Sequence, residues 1–257
     1  MSAADLFDVT GKRAVVTGGG SGIGTMIARG FVEAGVSVLI ASRKEDSLRE
    51  VTEDLSQLGD CAYVVADLSN EEGCRSLGTA VAERWDSLDI LVNNAGATWG
   101  APLAEQDTTS WARVLDVNVE GVFHTTKFLL PLLQAAGTQD EPARIINIGS
   151  VDGIQVPGFE TYAYSASKAA VHQLTRHLAK HLAPEITVNA IAPGPFQSRM
   201  MRATLEAAGD AMPAMMPLRR IGRPDDMAGP AIFLSSRAGS FLTGTIIPVD
   251  GGIATTK

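Results

Sequence analysis

Cysteine is scarce in this chain: Cys61 and Cys74 are the two among 257 residues, and no C-x-x-C spacing joins them. A reduced cytosolic protein fits that pattern, with both thiols as packing residues. Positive charge is also short. Lysine and arginine number 21 against 29 aspartates and glutamates, a formal net charge of −8, which disfavours nucleic acid or an anionic membrane as the main partner. No apolar run approaches the ~20 residues needed to cross a bilayer. The opening stretch MSAADLFDVTGKRAVV puts acids before its first bases and lacks a signal-peptide core, and the closing GGIATTK matches no lipidation or organelle address. The expectation is a soluble cytoplasmic protein. Internal repeats and low-complexity linkers are absent as well, so residues 1–257 are expected to form a single domain. Apolar bulk is what the chain does have: 45% hydrophobic against 19% charged residues, enough for a sizeable core.

Short β-rich runs alternate with longer helical segments. Strands are expected at 13–17, 36–41, 61–66, 88–93, 143–148, 186–191 and 245–249, most of them near-continuous apolar runs of the kind covered on both faces. Helices are expected over roughly 22–34, 45–58, 70–85, 107–136, 162–183 and 224–236. This alternation predicts an α/β fold, a doubly wound, seven-stranded parallel sheet flanked by helices. Ligands of such sheets sit beyond the carboxyl ends of the strands.

After the first expected strand, Thr17–Gly24 reads TGGGSGIG and opens straight into a helix. Neither G-x-G-x-x-G nor a phosphate loop ending in lysine fits it. A glycine turn here still lets backbone approach a pyrophosphate at a helix N-terminus; a tight turn with no ligand is the alternative. Further on, TYAYSASKAA (161–170) sets Tyr164 and Lys168 four apart, on one helical face. A free tyrosine titrates near ~10. An ammonium within about 4–6 Å would lower that value and fit the phenol for proton transfer at neutral pH. Tyr162 is excluded by spacing, because Ala166 stands four residues on.

T-G-x-x-x-G-x-G followed by Y-x-x-x-K resembles the short-chain dehydrogenase/reductase family, and the likeness covers essentially the whole chain. ADL (66–68), NNAG (93–96), DVNVEGVF (116–123), INIGS (146–150) and APG (192–194) follow in the family's order. The resemblance implies a Rossmann-like domain binding a nicotinamide dinucleotide. It implies cofactor contacts from Gly18, Ser21, Gly22, Ile23 and Gly24 in the glycine turn. Asp67 and Leu68 would border the adenine, and Asn93, Asn94, Ala95 and Gly96 would let the cofactor lie close to the fourth strand. Pro193 and Gly194 follow the sixth strand, and Ser198 replaces a family threonine that holds the carboxamide. Asp67 could otherwise cap the helix beginning near Ser69. At the end of the second strand Ser42, Arg43 and Lys44 come before any acid. A carboxylate would repel a 2′-phosphate, whereas a guanidinium and a hydroxyl bind it. NADP(H) is therefore expected, with Ser42 and Arg43 as the discriminating contacts; an ordinary solvated helix start is the plainer reading.

The same resemblance makes Asn118, Ser150, Tyr164 and Lys168 the catalytic set. Ser150 would hydrogen-bond the substrate oxygen, or merely cap its strand. Tyr164 would pass the proton, Lys168 would also hold the cofactor ribose, and Asn118 would bend its helix and anchor a relay water. His177 and His181 are spaced like a zinc pair but lack a third ligand, so no metal is expected. Residues 195–218, where the family keeps its substrate lid, hold Met200, Met201, Met212, Met215 and Met216, suited to a flexible apolar lid or to plain packing. Five arginines fall within 199–223, a basic patch for a phosphopantetheine carrier or coenzyme A, or scattered solvated charge. ATWGAPL, RIINIGSV and NAIAPGPFQSRM look most like the NADPH-dependent 3-oxoacyl reductases of the rhamnolipid type. Reduction of a 3-oxoacyl thioester or similar ketone is the expected reaction. An alcohol, steroid or sugar dehydrogenase acting oxidatively and a non-catalytic NADP-binding sensor are the alternatives. The resemblance also implies a homotetramer.

Overall fold

The computed structural model describes residues 2–198 and 211–256. Seven strands make one sheet: β1 (Arg13–Thr17), β2 (Ser37–Ser42), β3 (Cys61–Val65), β4 (Ile90–Asn93), β5 (Ala143–Ile148), β6 (Ile186–Pro193) and β7 (Ile246–Val249). Their order is β3-β2-β1-β4-β5-β6-β7, and every pairing is parallel. The chain thus winds outward from β1 in one direction and from β4 in the other. The switch between β1 and β4 leaves a crevice at their carboxyl ends.

Helices cover both faces, which is why the strands read as unbroken apolar runs. On one face α2 (Gly22–Glu33), α3 (Glu45–Leu55) and α9 (Pro224–Ser235) bury Ile27, Phe31, Leu48, Met227 and Leu234 against Val16, Val38 and Ile40. On the other, α4 (Glu71–Arg84), α6 (Gly121–Ala136) and α7 (Tyr162–Leu182) bury Leu77, Val81, Leu129 and Leu133 against Val15, Leu91, Ile145 and Val188. Each such side chain, fully buried, contributes about 1.5–3 kcal/mol. Cys61 and Cys74 are both buried and unpaired by disulfide. Burial pushes the Cys61 thiol up to about 11 and the Cys74 thiol upward as well, so both pack as inert apolar groups.

Two short helices fall outside the sequence expectations: α1 (Ala3–Phe7), closed by a Ser2–Asp5 capping box, and α8 (Ala211–Met215). More consequential is the expected helix 107–136. It divides into α5 (Thr108–Leu115), a π turn at Asp116–Glu120, and α6. Gly121 explains the close fit there: a Cβ on it would collide with Leu68 O. The turn itself, DVNVE, offers two β-branched residues and an asparagine, all weak helix formers.

Candidate active site

A cleft of about 1100 Å³ opens at the carboxyl ends of β1, β4, β5 and β6. The turn between β1 and α2 forms one wall. Gly18 and Gly22 take φ of +66° and +59°, where a side chain is strained, and a Cβ on Gly18 would stand 2.7 Å from Asn94 Nδ2. A Cβ on Gly24 would collide with Gly18 O, so α2 can begin hard against the turn. Ser21 is the N-cap of α2 yet makes no side-chain cap bond. The first amides of α2, at cleft residues Gly22 and Ile23, therefore keep their partial positive charge available to an anion.

Thr17 ties this turn to the end of β4, a role that lay hidden in the first letter of the motif. Its Oγ1 accepts from the amides of Asn94 at 2.9 Å and Ala95 at 3.0 Å, and it donates to Val92 O at 3.2 Å. Asn94 Nδ2 returns a bond to Thr17 O at 2.8 Å. Asn94, Ala95 and Gly96 then line the cleft, as expected. Asn93 does not. Consecutive residues of extended chain point to opposite faces, and Asn93 turns inward, donating to Thr126 Oγ1 at 3.1 Å and Asn147 Oδ1 at 2.9 Å. Asn147 passes the chain on to Thr175 Oγ1 at 2.9 Å.

The opposite wall carries the groups expected to be catalytic. Ser150 follows β5, lines the cleft, and accepts from Asp152 N at 3.1 Å, capping the 3-10 turn Val151–Gly153. Capping and facing the cleft are thus compatible. Tyr164 and Lys168 reach the same space from the first turns of α7. Lys168 Nζ donates to Ile148 O at 2.7 Å and lies 5.6 Å from the Tyr164 ring centroid. The two groups are close, but the expected acidification of the phenol is not found. Burial pushes Tyr164 up to about 12, a hydrogen bond with Ser150 opposes the rise, and the Asp152 carboxylate adds to it. Lys168 is held by a strand-end carbonyl beside the ring, and burial prevails in the phenol. Burial also pulls the Lys168 ammonium down to about 8, with Asp152 opposing. The phenol therefore keeps its proton at neutral pH.

Asn118 stands behind the cleft. It is fully buried in the π turn. Its Oδ1 accepts from Ala97 N at 2.8 Å, and its Nδ2 donates to Ala97 O and Ser167 Oγ, both at 2.9 Å. The carboxamide therefore braces the loop after β4 against α7. A Cβ on Gly96 would lie 3.2 Å from Asn118 Oδ1 and 3.8 Å from Lys168 Nζ, so the three residues meet at one point.

The residues expected on the adenine side lie off the cleft walls. Ser42 Oγ would be 3.4 Å from a Cβ on Gly20, beside the glycine turn. Arg43 Nε is 4.0 Å from Asp67 Oδ1, with both side chains exposed. Asp67 Oδ1 accepts from Ser69 N at 3.1 Å and Ser69 Oγ at 2.8 Å. The helix cap weighed for Asp67 belongs instead to Asn70, which accepts from Gly73 N at 2.9 Å. Leu68 is a core side chain.

On the remaining side, Pro193 ends β6, Gly194 N donates to Val249 O at 3.0 Å, and Ser198 Cβ would be 3.0 Å from a Cβ on Gly22. Phe196 is buried and bridges to Gly222, which anchors the loop after β6. Of the expected lid, residues 199–210 lie outside the described ones, including Met200 and Met201. Met212 and Met216 are buried and Met215 exposed, and all three line the cleft with Val156 and Phe159. In the basic patch Arg220 is paired with Asp226. The His177 and His181 rings stack at 4.8 Å. Among the described residues no group of three or more His, Cys, Asp or Glu side chains is placed to hold a metal ion, and no helix is long and apolar enough to cross a membrane.

Comparison with known proteins agrees with this geometry. Residues 18–254 match a family described as enoyl-(acyl carrier protein) reductase. A rhamnolipid-biosynthesis 3-oxoacyl-[acyl-carrier-protein] reductase of Pseudomonas aeruginosa is 49% identical over 96% of this chain and 97% of its own. A galactitol 2-dehydrogenase (L-tagatose-forming) of Cereibacter sphaeroides is 37% identical over 98% of each. The solved active-site complex of Pseudomonas aeruginosa RhlG with NADP superposes with a TM-score of 0.94 at 48% identity, covering 97% of this chain and 99% of that one. With a glycine-turned dinucleotide cleft facing Ser150, Tyr164 and Lys168, and relatives aligned over nearly their full length, the chain belongs to the short-chain dehydrogenases/reductases.

Proposed function

We propose that this protein reduces a 3-oxoacyl thioester or a similar ketone with NADPH. One observation carries the reading: Ser150, Tyr164 and Lys168 face the glycine turn and the open N-terminus of α2 across a single cleft. The turn fits a dinucleotide because Gly18 and Gly22 hold positive φ, with Gly18 tight against Asn94 and Gly22 against Ser198, and the first amides of α2, which the Ser21 side chain does not cap, suit a pyrophosphate. Ser42 Oγ and Arg43, whose exposed pairing with Asp67 is weak, suit a 2′-phosphate. Bound NADPH would supply the hydride. The Ser150 hydroxyl holds the carbonyl oxygen, Tyr164 gives that oxygen its proton, and Lys168 keeps positive charge beside it. Asn118 acts as a positioning residue.

Val156, Phe159 and Met215 make the cleft mouth apolar, which supports an acyl chain over a polar sugar. The 3-oxoacyl reductase and the NADP complex among the relatives support the same choice. Exposed Phe241 and Phe123 support a homotetramer, and the protein is read as cytoplasmic. The test is NADPH oxidation with 3-oxoacyl thioesters of increasing chain length, beside an enoyl thioester and hydroxylated ketones. Turnover that is best with the oxo thioesters is expected. Preference for the enoyl compound or for sugar-like ketones would overturn the substrate assignment, and indifference to every carbonyl would overturn the reductase reading.

A further inference from the structure

The turn after β5 holds a carboxylate that none of the roles above employs. Asp152 stands two residues beyond Ser150, partly buried, on the cleft wall. Its backbone is clamped on both sides: the amide donates to Ser150 Oγ at 3.1 Å, and the carbonyl accepts from Ser165 Oγ at 3.1 Å. Gly153, the next residue, packs so closely on α7 that a Cβ there would lie 2.7 Å from Lys168 C and 2.8 Å from Ala169 N. The backbone of Asp152 is thereby fixed beside the first two turns of α7, and burial and the Lys168 charge act on its carboxylate without a direct ion pair between them.

Lys168 needs such a neighbour. Its side chain is 5% exposed, and its ammonium bonds a neutral carbonyl, Ile148 O. An ammonium withdrawn from water without a counter-charge tends to give up its proton. The ionisable groups around it are few. On α7 they are Tyr164, His172, which is buried, and Arg176, which faces His172. Arg113 on α5 and Asp116 and Glu120 on the π turn belong to elements packed on α7, yet burial and Asp152 are what act on Lys168. The cleft loops 93–96 and 193–196 contain no ionisable side chain. Across the cleft mouth, Glu160 is bonded to the Tyr162 hydroxyl at 3.0 Å.

We propose that Asp152 is the counter-charge of Lys168, holding the ammonium through neutral pH and the Tyr164 phenol in its proton-bearing form, and so setting the alkaline limit of carbonyl reduction. Both effects have one sign, because a negative charge raises the proton affinity of every group near it. Asp152 touches neither substrate nor cofactor in this role. It is a positioning residue for charge.

The test is the isosteric variant Asp152→Asn, with Asp152→Glu as the conservative control and Asp152→Ser in reserve should Asn not fold. Lysine labelled with 15N at Nζ is followed by NMR across pH 6–11, the Lys168 signal being assigned by its loss in Lys168→Met. Lys168 is expected to titrate lower in Asp152→Asn by about half a unit to one unit, and to recover in Asp152→Glu. The alkaline limb of kcat/KM for reduction is expected to move the same way. An unmoved Lys168 titration in the folded variant overturns the proposal. The activity limb rests on the reductase reading, but the NMR titration requires neither cofactor nor substrate. Failure to reduce any ketone would therefore sink that reading and leave this one to be judged by the titration.

Discussion

Asn118 on the π turn donates to Ser167 Oγ at 2.9 Å, and Ser167 in turn donates to Tyr164 O at 2.7 Å. The break in one helix is thus wired to the first turn of another. Asn118→Ala would leave both polar groups of Ala97 unpaired in a partly buried setting, a loss of about 1–3 kcal/mol. Urea unfolding should show it. Ser167→Ala, which keeps the Ala97 bonds, should cost about 1 kcal/mol, and a larger loss from Ser167 than from Asn118 would contradict this picture.

Removing the Tyr164 hydroxyl should leave the fold alone and stop the chemistry. For Tyr164→Phe we expect kcat/KM to drop by about 10²–10⁴ with an unchanged melting temperature. Full turnover in that variant would transfer the proton-donor role to another residue.

Cofactor choice should turn on Arg43. Its exposed partner Asp67 holds it weakly, so the guanidinium is free to meet a phosphate. A charge-assisted contact is worth about 1.5–3 kcal/mol, and Arg43→Glu should therefore raise the KM for NADPH by about 10–100-fold while changing that for NADH little. Parallel KM measurements decide it, and equal effects on both cofactors would remove Arg43 from the role.

His172 should make the fold acid-sensitive. Burial, and next the Lys168 charge, pull it down to about 4, against about 6.5 in an unfolded chain. A lowered value means that the native state resists protonation. The associated stability is complete above about 6.5 and is lost as pH falls through about 4, in all on the order of 3 kcal/mol. Urea unfolding at pH 7, 5.5 and 4.5 should show that loss, and His172→Gln should flatten it. A variant that loses as much as the parent over this interval would assign the acid limb to carboxylates instead.

The sheet was legible because strands covered on both faces read as apolar runs: RAVVT and ARIINI match β1 and β5 residue for residue. Tyr164 and Lys168 were suggested by their four-residue spacing, whereas Ser150 and Asn118 came from the family resemblance. The π turn was not legible, since one extra residue in a hydrogen-bond ladder leaves the apolar periodicity nearly intact. Nor was the direction of the Tyr164 shift, because a four-residue spacing gives proximity and says nothing of burial. Asn93 and Asn94 look alike in NNAG, and only the pleat separates the one facing inward from the one facing the cleft. The helix at Ala3–Phe7 did have a signal, the serine and aspartate three apart at its start, too short a segment for periodicity to reveal.

Asn93 and Asn147 lie directly opposite each other in the β4–β5 register and are joined side chain to side chain at 2.9 Å. That bond works as a key in a lock. Sliding β5 by a single position would swing Asn147 to the other face of the sheet and strand both amides together with Thr175. Ser150, three residues downstream, is consequently indexed to Gly96 by a directional bond that aliphatic packing alone would not provide. Same-size apolar exchanges along β5 should preserve that alignment, whereas Asn147→Leu should loosen it although the site itself is untouched.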